Sequence, residues 1–356
     1  MAICLLPLPE RAMTQFAPSL AQIRPDAEEE IPVLDVGPYL AGTPGAREAL
    51  AAQLRHALEN IGFYFIVNHG VPQKLIDDTF DAAVLFHNQP LDAKLQYPFS
   101  EHNVGYVPLK GSTTRHSQLN QNNRPNLVES FFIKRDLPKD HPDVVNGVRF
   151  RPANPWPRDL PAFRETVVAY ADALEALGKS LLPLYALALD LPADAFDTAF
   201  SEPMYTLRLS HYPEQPPQEE NQFGLAPHSD TSFMTLLVQN KVQGLSIRLP
   251  NGNWIDAPAL PGSFLVNGGD MLRRWTNDRF LATPHRVINR SGRERYAIPF
   301  FMDCKLDWQM VCLPTCEDEA HPPKYEPITY TEYMAWYRNQ NYASPDKPSD
   351  VALSAY

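Results

Sequence analysis

Apolar residues recur every three or four positions along much of the first half of the chain and in short strand-like runs along the second. Over residues 46–61, Leu50, Leu54, Leu58 and Ile61 fall on one helical face, and Gly62 follows as a stop. Residues 31–36 read as a short strand, and 63–67 (Phe-Tyr-Phe-Ile-Val) have the composition of a buried one. Pro72 is placed to open a helix that continues over 74–86. Between 90 and 160 only short strands such as 130–134 stand out among polar loops. The longest periodic segment, 162–189, aligns Phe163, Val167, Leu174, Leu177 and Leu181, and Pro183 is expected to kink its last part.

After Phe200 the texture changes. Short runs at 204–212, 233–239, 245–249, 254–257, 263–267, 282–288 and 296–302 are separated by turn signals such as Asn251-Gly252 and Pro261-Gly262. Many short strands with Gly/Pro turns predict a sandwich or jelly-roll barrel, and helices before and beside it make an α+β protein. An aromatic-rich helix over 330–342 is expected to pack back on the body. The expected organisation is one integrated unit: a loose tail (1–30), a mixed helical region packing on the barrel (31–200), the barrel (201–310), and a closing loop and helix (311–356).

Composition narrows the function classes. A net charge of −11 without a Lys/Arg run disfavours nucleic acid and anionic membrane surfaces as partners. The 36 prolines cluster in connections, which predicts long ordered loops. Cys312 and Cys316 have no second cysteine or histidine pair nearby, so free thiols are expected rather than a zinc knuckle. The apolar opening of the chain is broken by Pro7 and Pro9 and lacks a basic leader, and no run approaches a membrane span. A cytoplasmic location is the expectation. Gly178-Lys179-Ser180 lies inside the long helix without an upstream glycine, so it is not a phosphate loop, and His69 sits in a turn as a structural histidine.

The chemistry concentrates between Leu225 and Met302. Strand alternation would put His228 and Asp230 on one face with Ser229 pointing away. His285 follows 57 residues after His228, and Arg295 ten residues later. Two imidazoles and one carboxylate suit a mononuclear iron(II) site with positions left free for substrate and oxygen. An isolated H-x-D is weak; joined to a distal His-Arg-Val and an arginine, it is strong.

The stretches Ala226-Pro227-His228-Ser229-Asp230, Gly244-Leu245-Ser246-Ile247, the ten residues from Pro261 to Asp270, His285-Arg286-Val287 and Arg295-Tyr296-Ala297-Ile298-Pro299 together resemble the iron(II)/2-oxoglutarate-dependent oxygenases, in their isopenicillin N synthase-like subgroup. The resemblance covers most of the chain from Ile31 to Tyr342 and implies a double-stranded β-helix core of jelly-roll, cupin-like type. It implies iron(II) on His228, Asp230 and His285, with 2-oxoglutarate and O2 as cosubstrates. Arg295, assisted by Tyr212, would hold the distal carboxylate of 2-oxoglutarate. The family pattern Arg-x-Ser is Arg-x-Ala here, with Ala297 in place of the serine, and Ser210 replaces an asparagine. Each change removes or shortens one hydrogen bond, worth roughly 1 kcal/mol.

Arg208 shares the Tyr212 face of its strand and would attract an anionic substrate or the cosubstrate's carboxylate, or else close a salt bridge at the barrel end. Phe131, Phe233 and Arg115 are candidates for the substrate pocket, while Arg286 should point away and Arg273 and Arg274 should lie on a solvated helical face. The implied reaction is oxidative decarboxylation of 2-oxoglutarate coupled to hydroxylation, desaturation or ring closure of a small molecule, for which Arg208 would suit an anion. A monomer or small homo-oligomer is expected. Competing readings are an iron oxidase that does not use 2-oxoglutarate, a cupin-like binding protein, and a zinc hydrolase.

Overall fold

The first two strands of the described residues join a sheet whose other members come from further along the chain. The computed structural model describes residues 30–341, apart from 115–118, 120–123 and 215–220, so Arg115 lies outside the described residues. In chain order the first half forms β1 (Val33–Asp35), α1 (Gly37–Leu40), α2 (Ala46–Asn60), β2 (Phe63–Val67), α3 (Gln73–His87) and α4 (Leu91–Lys94). It continues with β3 (Gly105–Val107), β4 (Glu129–Ile133), α5 (Pro142–Val145) and α6 (Phe163–Ala188). The second half forms β5 (Met204–Tyr212), β6 (Leu225–His228), β7 (Met234–Gln239), β8 (Leu245–Arg248), β9 (Trp254–Asp256) and β10 (Ser263–Gly268). Helix α7 (Asp270–Trp275), β11 (His285–Val287), β12 (Arg295–Asp303), β13 (Gln309–Met310), β14 (Ile328–Thr329) and α8 (Tyr330–Asn341) complete it.

The large sheet has eight strands in the order β1-β2-β10-β7-β12-β5-β4-β3, and the small one four in the order β6-β11-β8-β9. Strands β5 to β12 are divided between the two sheets as a jelly roll requires, and every pair in the large and small sheets except β1–β2 is antiparallel. The first half does more than pack on this barrel: β1 to β4 supply four of the eight strands of the large sheet.

Helices α2, α3 and α6 cover the outer face of that sheet. Leu54, Leu58, Val167, Leu174 and Leu181 are buried in one cluster with Leu236, Phe264, Ile298 and Phe300. Burying each such side chain contributes about 1.5–3 kcal/mol. The α6 C-terminus leaves carbonyls without helical partners, and Arg55 from α2 satisfies two of them, donating to Ala188 O at 2.6 Å and Leu187 O at 3.2 Å.

Strand parity decides which side chains face the barrel interior. On β5, Leu207 and Leu209 are fully buried under the helices, whereas Thr206, Arg208, Ser210 and Tyr212 line the interior cavities. On β4, Ser130 and Phe132 share the interior face, so Phe131 points the other way. The Phe131 ring packs 4.5 Å from Phe86 and 5.9 Å from Phe163, which removes it from the substrate pocket. Phe233 is corrected likewise: it is enclosed by Tyr185, Phe196, Phe200 and Trp275. Arg274 is not on a solvated face either. It is 6% exposed, lies over the rings of Tyr325 and Tyr333, and donates to Glu326 O at 3.0 Å. Arg286 does point outward, over the Trp254 ring at 4.0 Å.

Beneath β4 and β5 a buried acid ties the helices to the sheet. Glu129 accepts from Lys94 Nζ at 2.8 Å, from the Tyr106 hydroxyl, and pairs with His211 Nδ1 at 2.7 Å. Burial alone would raise its pKa, but the His211, His87 and Lys94 contacts outweigh burial and hold it below the usual carboxylate range. A depressed folded pKa contributes stability that is present above the unfolded value of about 4.3 and lost as pH falls through the carboxylate range. Glu129→Gln leaves Lys94 buried without its anion and is expected to cost about 3–5 kcal/mol at neutral pH. It should also flatten the acid side of the stability profile, as measured by urea unfolding between pH 3 and 7.

Candidate metal centre

The small sheet brings the two histidines together. His285 on β11 is the register partner of His228 on β6, so residues distant in sequence become a cross-strand pair, with ring centroids 4.3 Å apart. His228 ends β6, and Asp230 lies beyond it in the connection to β7, where strand alternation no longer positions it. Instead, Asp230 Oδ2 accepts from Thr235 Oγ1 at 2.7 Å and from Asn267 Nδ2 at 2.9 Å. The other oxygen, Oδ1, then faces the imidazoles, 3.7 Å from His228 Nε2 and 3.6 Å from His285 Nε2. Those separations are too long for hydrogen bonds.

Each ring is held by its far nitrogen. His228 Nδ1 lies 2.9 Å from Ala226 O, and His285 Nδ1 lies 3.2 Å from Thr283 O. A carbonyl at Nδ1 fixes the proton there and leaves the Nε2 lone pair turned inward, the form that ligates a metal. Burial and the neighbouring His285 push the His228 pKa down to about 3. The Asp230 carboxyl would be raised by burial, but His285 and His228 outweigh that and lower it. Among the described residues these three side chains form a group whose ligand atoms lie within 4.8 Å of one another and could hold a metal ion. A second such group, His87, Glu129 and His211, is already occupied by the Lys94 ammonium.

The backbone around Asp230 is closed by α7. Asp270 N–H donates to Asp230 O at 2.7 Å and Met271 N–H to Thr231 O at 3.2 Å. Gly269 makes that approach possible: a Cβ there would lie 2.3 Å from Ser232 O and 2.8 Å from Asp230 O.

Next to the metal candidates, the barrel holds a guanidinium in need of an acceptor. Arg295 is 1% exposed. Its Nη2 donates to Gln239 Oε1 at 2.8 Å, and it lies 4.8 Å over the Tyr212 ring, but Nε and Nη1 have no partner among the described residues. It lines one cavity with Ser210, Tyr212, His228, Asp230, His285 and Ala297. A buried cation with N–H donors idle at two of its nitrogens fits a carboxylate ligand, and the nitrogen and oxygen donors nearby fit iron(II). Ser210 and Ala297 are cross-strand partners on this wall, so the hydroxyl absent at 297 has a neighbour directly opposite.

Arg208 lies further along the same wall, half-buried, with Nε donating to Ser130 Oγ at 2.9 Å and the guanidinium 5.2 Å over Phe132. It lines that cavity and also an adjoining one formed by Phe99, Phe132, Phe301, Asp303, Met334 and Asp230. Thr235, Asn267, Gln239 and Phe132 were not singled out by sequence reasoning. Asn267 carried a usable signal, a polar residue ending the apolar run Ser-Phe-Leu-Val.

Comparison with known proteins adds the family. Residues 31–159 match the family model of the non-haem dioxygenase in morphine synthesis, N-terminal region, and 203–303 that of the 2OG-Fe(II) oxygenase superfamily. The chain is 37% identical to the 2-oxoglutarate-Fe(II) type oxidoreductase hxnY of Emericella nidulans, over 87% of this chain and 90% of that one. It is 31% identical to Kihadalactone A synthase of Citrus sinensis, over 86% and 92%. The fold is similar to that of a full-length Neurospora crassa protein solved with alpha-KG and thymine, with a TM-score of 0.76 and 26% identity over 86% and 96% of the two chains.

The role of the residues behind Asp230 can be measured directly. Asn267→Ala should weaken Mn(II) binding roughly 10- to 100-fold, as loss of a group that orients a ligand commonly does. Calorimetric titration of the metal-free protein would show it.

Proposed function

From the premise that this chain belongs to the 2OG-Fe(II) oxygenase superfamily, we propose that His228, Asp230 and His285 hold its iron and that Arg295 anchors its cosubstrate. The observation that carries this reading is the conjunction of an inward-facing His-Asp-His group with a buried arginine in the same cavity whose Nε and Nη1 lack acceptors among the described residues. Iron(II) with 2-oxoglutarate and O2 supplies oxidative decarboxylation to succinate and carbon dioxide, coupled to oxidation of a small-molecule substrate.

The protein's own part is positioning and exclusion of water. Thr235 and Asn267 restrict Asp230 to a single free oxygen, and Ala226 and Thr283 orient the two imidazoles. Arg295, steadied by Gln239 and Tyr212, aligns a dicarboxylate from its far end. Val287, Leu237 and Leu245 keep that cavity apolar around the anchor. Arg295 argues against an oxidase that dispenses with 2-oxoglutarate, because its buried charge would then lack an anion. Arg208, which lines both cavities and which no described carboxylate pairs with, favours an anionic substrate, since Arg295 already serves the cosubstrate.

Among the described residues no helix is long and apolar enough to cross a membrane. A cytoplasmic location is part of the reading, supported by the free thiols of Cys304, Cys312 and Cys316.

Succinate release from 2-oxoglutarate with iron(II), ascorbate and O2 tests the proposal. His228→Ala is expected to reduce it to background. Arg295→Leu should raise the KM for 2-oxoglutarate roughly 10- to 100-fold, the loss of one charge-assisted contact worth about 1.5–3 kcal/mol. An unchanged KM in that variant would remove Arg295 from the anchor.

A further inference from the structure

The cavity beside the candidate metal centre contains an acid that the reaction as described does not use. Asp303, the last residue of β12, is 2% exposed and lines that cavity with Thr206, Arg208, Thr231 and Phe301. Its Oδ1 accepts the Phe233 N–H at 3.0 Å. Its second oxygen has no hydrogen-bond partner among the described residues. The buried Lys134 ammonium acts on the Asp303 charge, but its hydrogen bond goes to Thr206 Oγ1 at 2.8 Å. A buried carboxyl with one oxygen unmatched is held at a cost unless a ligand completes it.

The cavity's other polar pole is Arg208. Pairing of Phe300 with Leu207 places Arg208 beside Pro299, four residues along the strand from Asp303. That offset is roughly 13 Å between backbones, shortened by the reach of the arginine side chain. Thr206 and Phe301 lie between the two, and Phe99 and Phe132 complete an aromatic wall. The cavity measures about 100 Å³, two-thirds of the roughly 150 Å³ that accommodates a benzene ring, so a ring seated there also extends toward His228 and Asp230, which line this cavity and the adjoining one.

We infer that Asp303 is a specificity-determining residue, accepting a hydrogen bond from an O–H or N–H of a ring-sized carboxylic acid whose carboxylate lies on Arg208. This rests on the reading of the cavity as the substrate site of a 2-oxoglutarate-dependent oxygenase, and it adds a substrate class to that reading.

Asp303→Asn is the decisive variant. Burial pushes the Asp303 carboxyl up to about 7, so the comparison is made at about pH 8.5, where it is ionised; the variant then keeps an oxygen for Phe233 N–H and turns the group facing the cavity from acceptor to donor. Wild type, Asp303→Asn and Arg208→Leu, each loaded with Mn(II) and 2-oxoglutarate, are titrated calorimetrically with benzoate and with 4-hydroxybenzoate. Wild type should bind the hydroxy acid at least about tenfold more tightly, a preference Asp303→Asn abolishes and Arg208→Leu retains while binding both acids more weakly. Mn(II) affinity of Asp303→Asn should stay at the wild-type value, since a merely structural role would move it. Absence of a hydroxyl preference in the wild type, or its persistence in Asp303→Asn, overturns the inference. Succinate release in the same preparations tests the oxygenase reading separately: turnover with an unchanged preference overturns the role of Asp303 alone.

Discussion

The pairing of β6 with β11 is the constraint on which the rest depends. It sets His228 opposite His285, and a slip of one residue would turn one imidazole to the other face of the sheet. Burial and the neighbouring imidazole keep His228 neutral, so the buried Asp230 carboxylate lacks a full counter-charge and the arrangement is costly until a cation occupies it. The large sheet and its helices supply the stability that keeps this group in place. Their cluster runs from α2 through α6 to the outward faces of β7, β10 and β12.

The interior wall of the large sheet extends the chemistry away from the metal candidates. Arg295, Ser210, Arg208 and Thr206 follow one another on the faces of β12 and β5, and no described carboxylate pairs with either arginine. Two unpaired cations at different distances from one metal site fit two anionic ligands held side by side. Asp303 at the end of the wall adds the opposite polarity and so distinguishes one end of the substrate cavity from the other.

Much of this was legible in the residues. The helical period over 46–61 and 162–189 became α2 and α6, and the seven strand runs after Phe200 became β5 and β7 to β12 with ends shifted by a few residues, while β6 was not among those runs. The resemblance identified the family's motifs. What the chain could not disclose was parity across strands distant in sequence. Phe131 and Phe132 are adjacent, and only the pairing of β4 with β5 shows that Phe132 shares the Arg208 face. Alternation likewise predicted Asp230 on the same strand face as His228, whereas the strand stops and hydrogen bonds from Thr235 and Asn267 take over. Arg274 was misplaced because a six-residue helix has too little periodicity to reveal that Tyr325 and Tyr333 cover it.

The central claim is that one cavity holds a metal on His228, Asp230 and His285 and a dicarboxylate on Arg295. A crystal structure with Mn(II) and 2-oxoglutarate tests it most directly. Mn(II) is expected on the two Nε2 atoms and Asp230 Oδ1, with the far carboxylate of 2-oxoglutarate on the Arg295 guanidinium. Metal bound elsewhere, or 2-oxoglutarate bound away from Arg295, would contradict it.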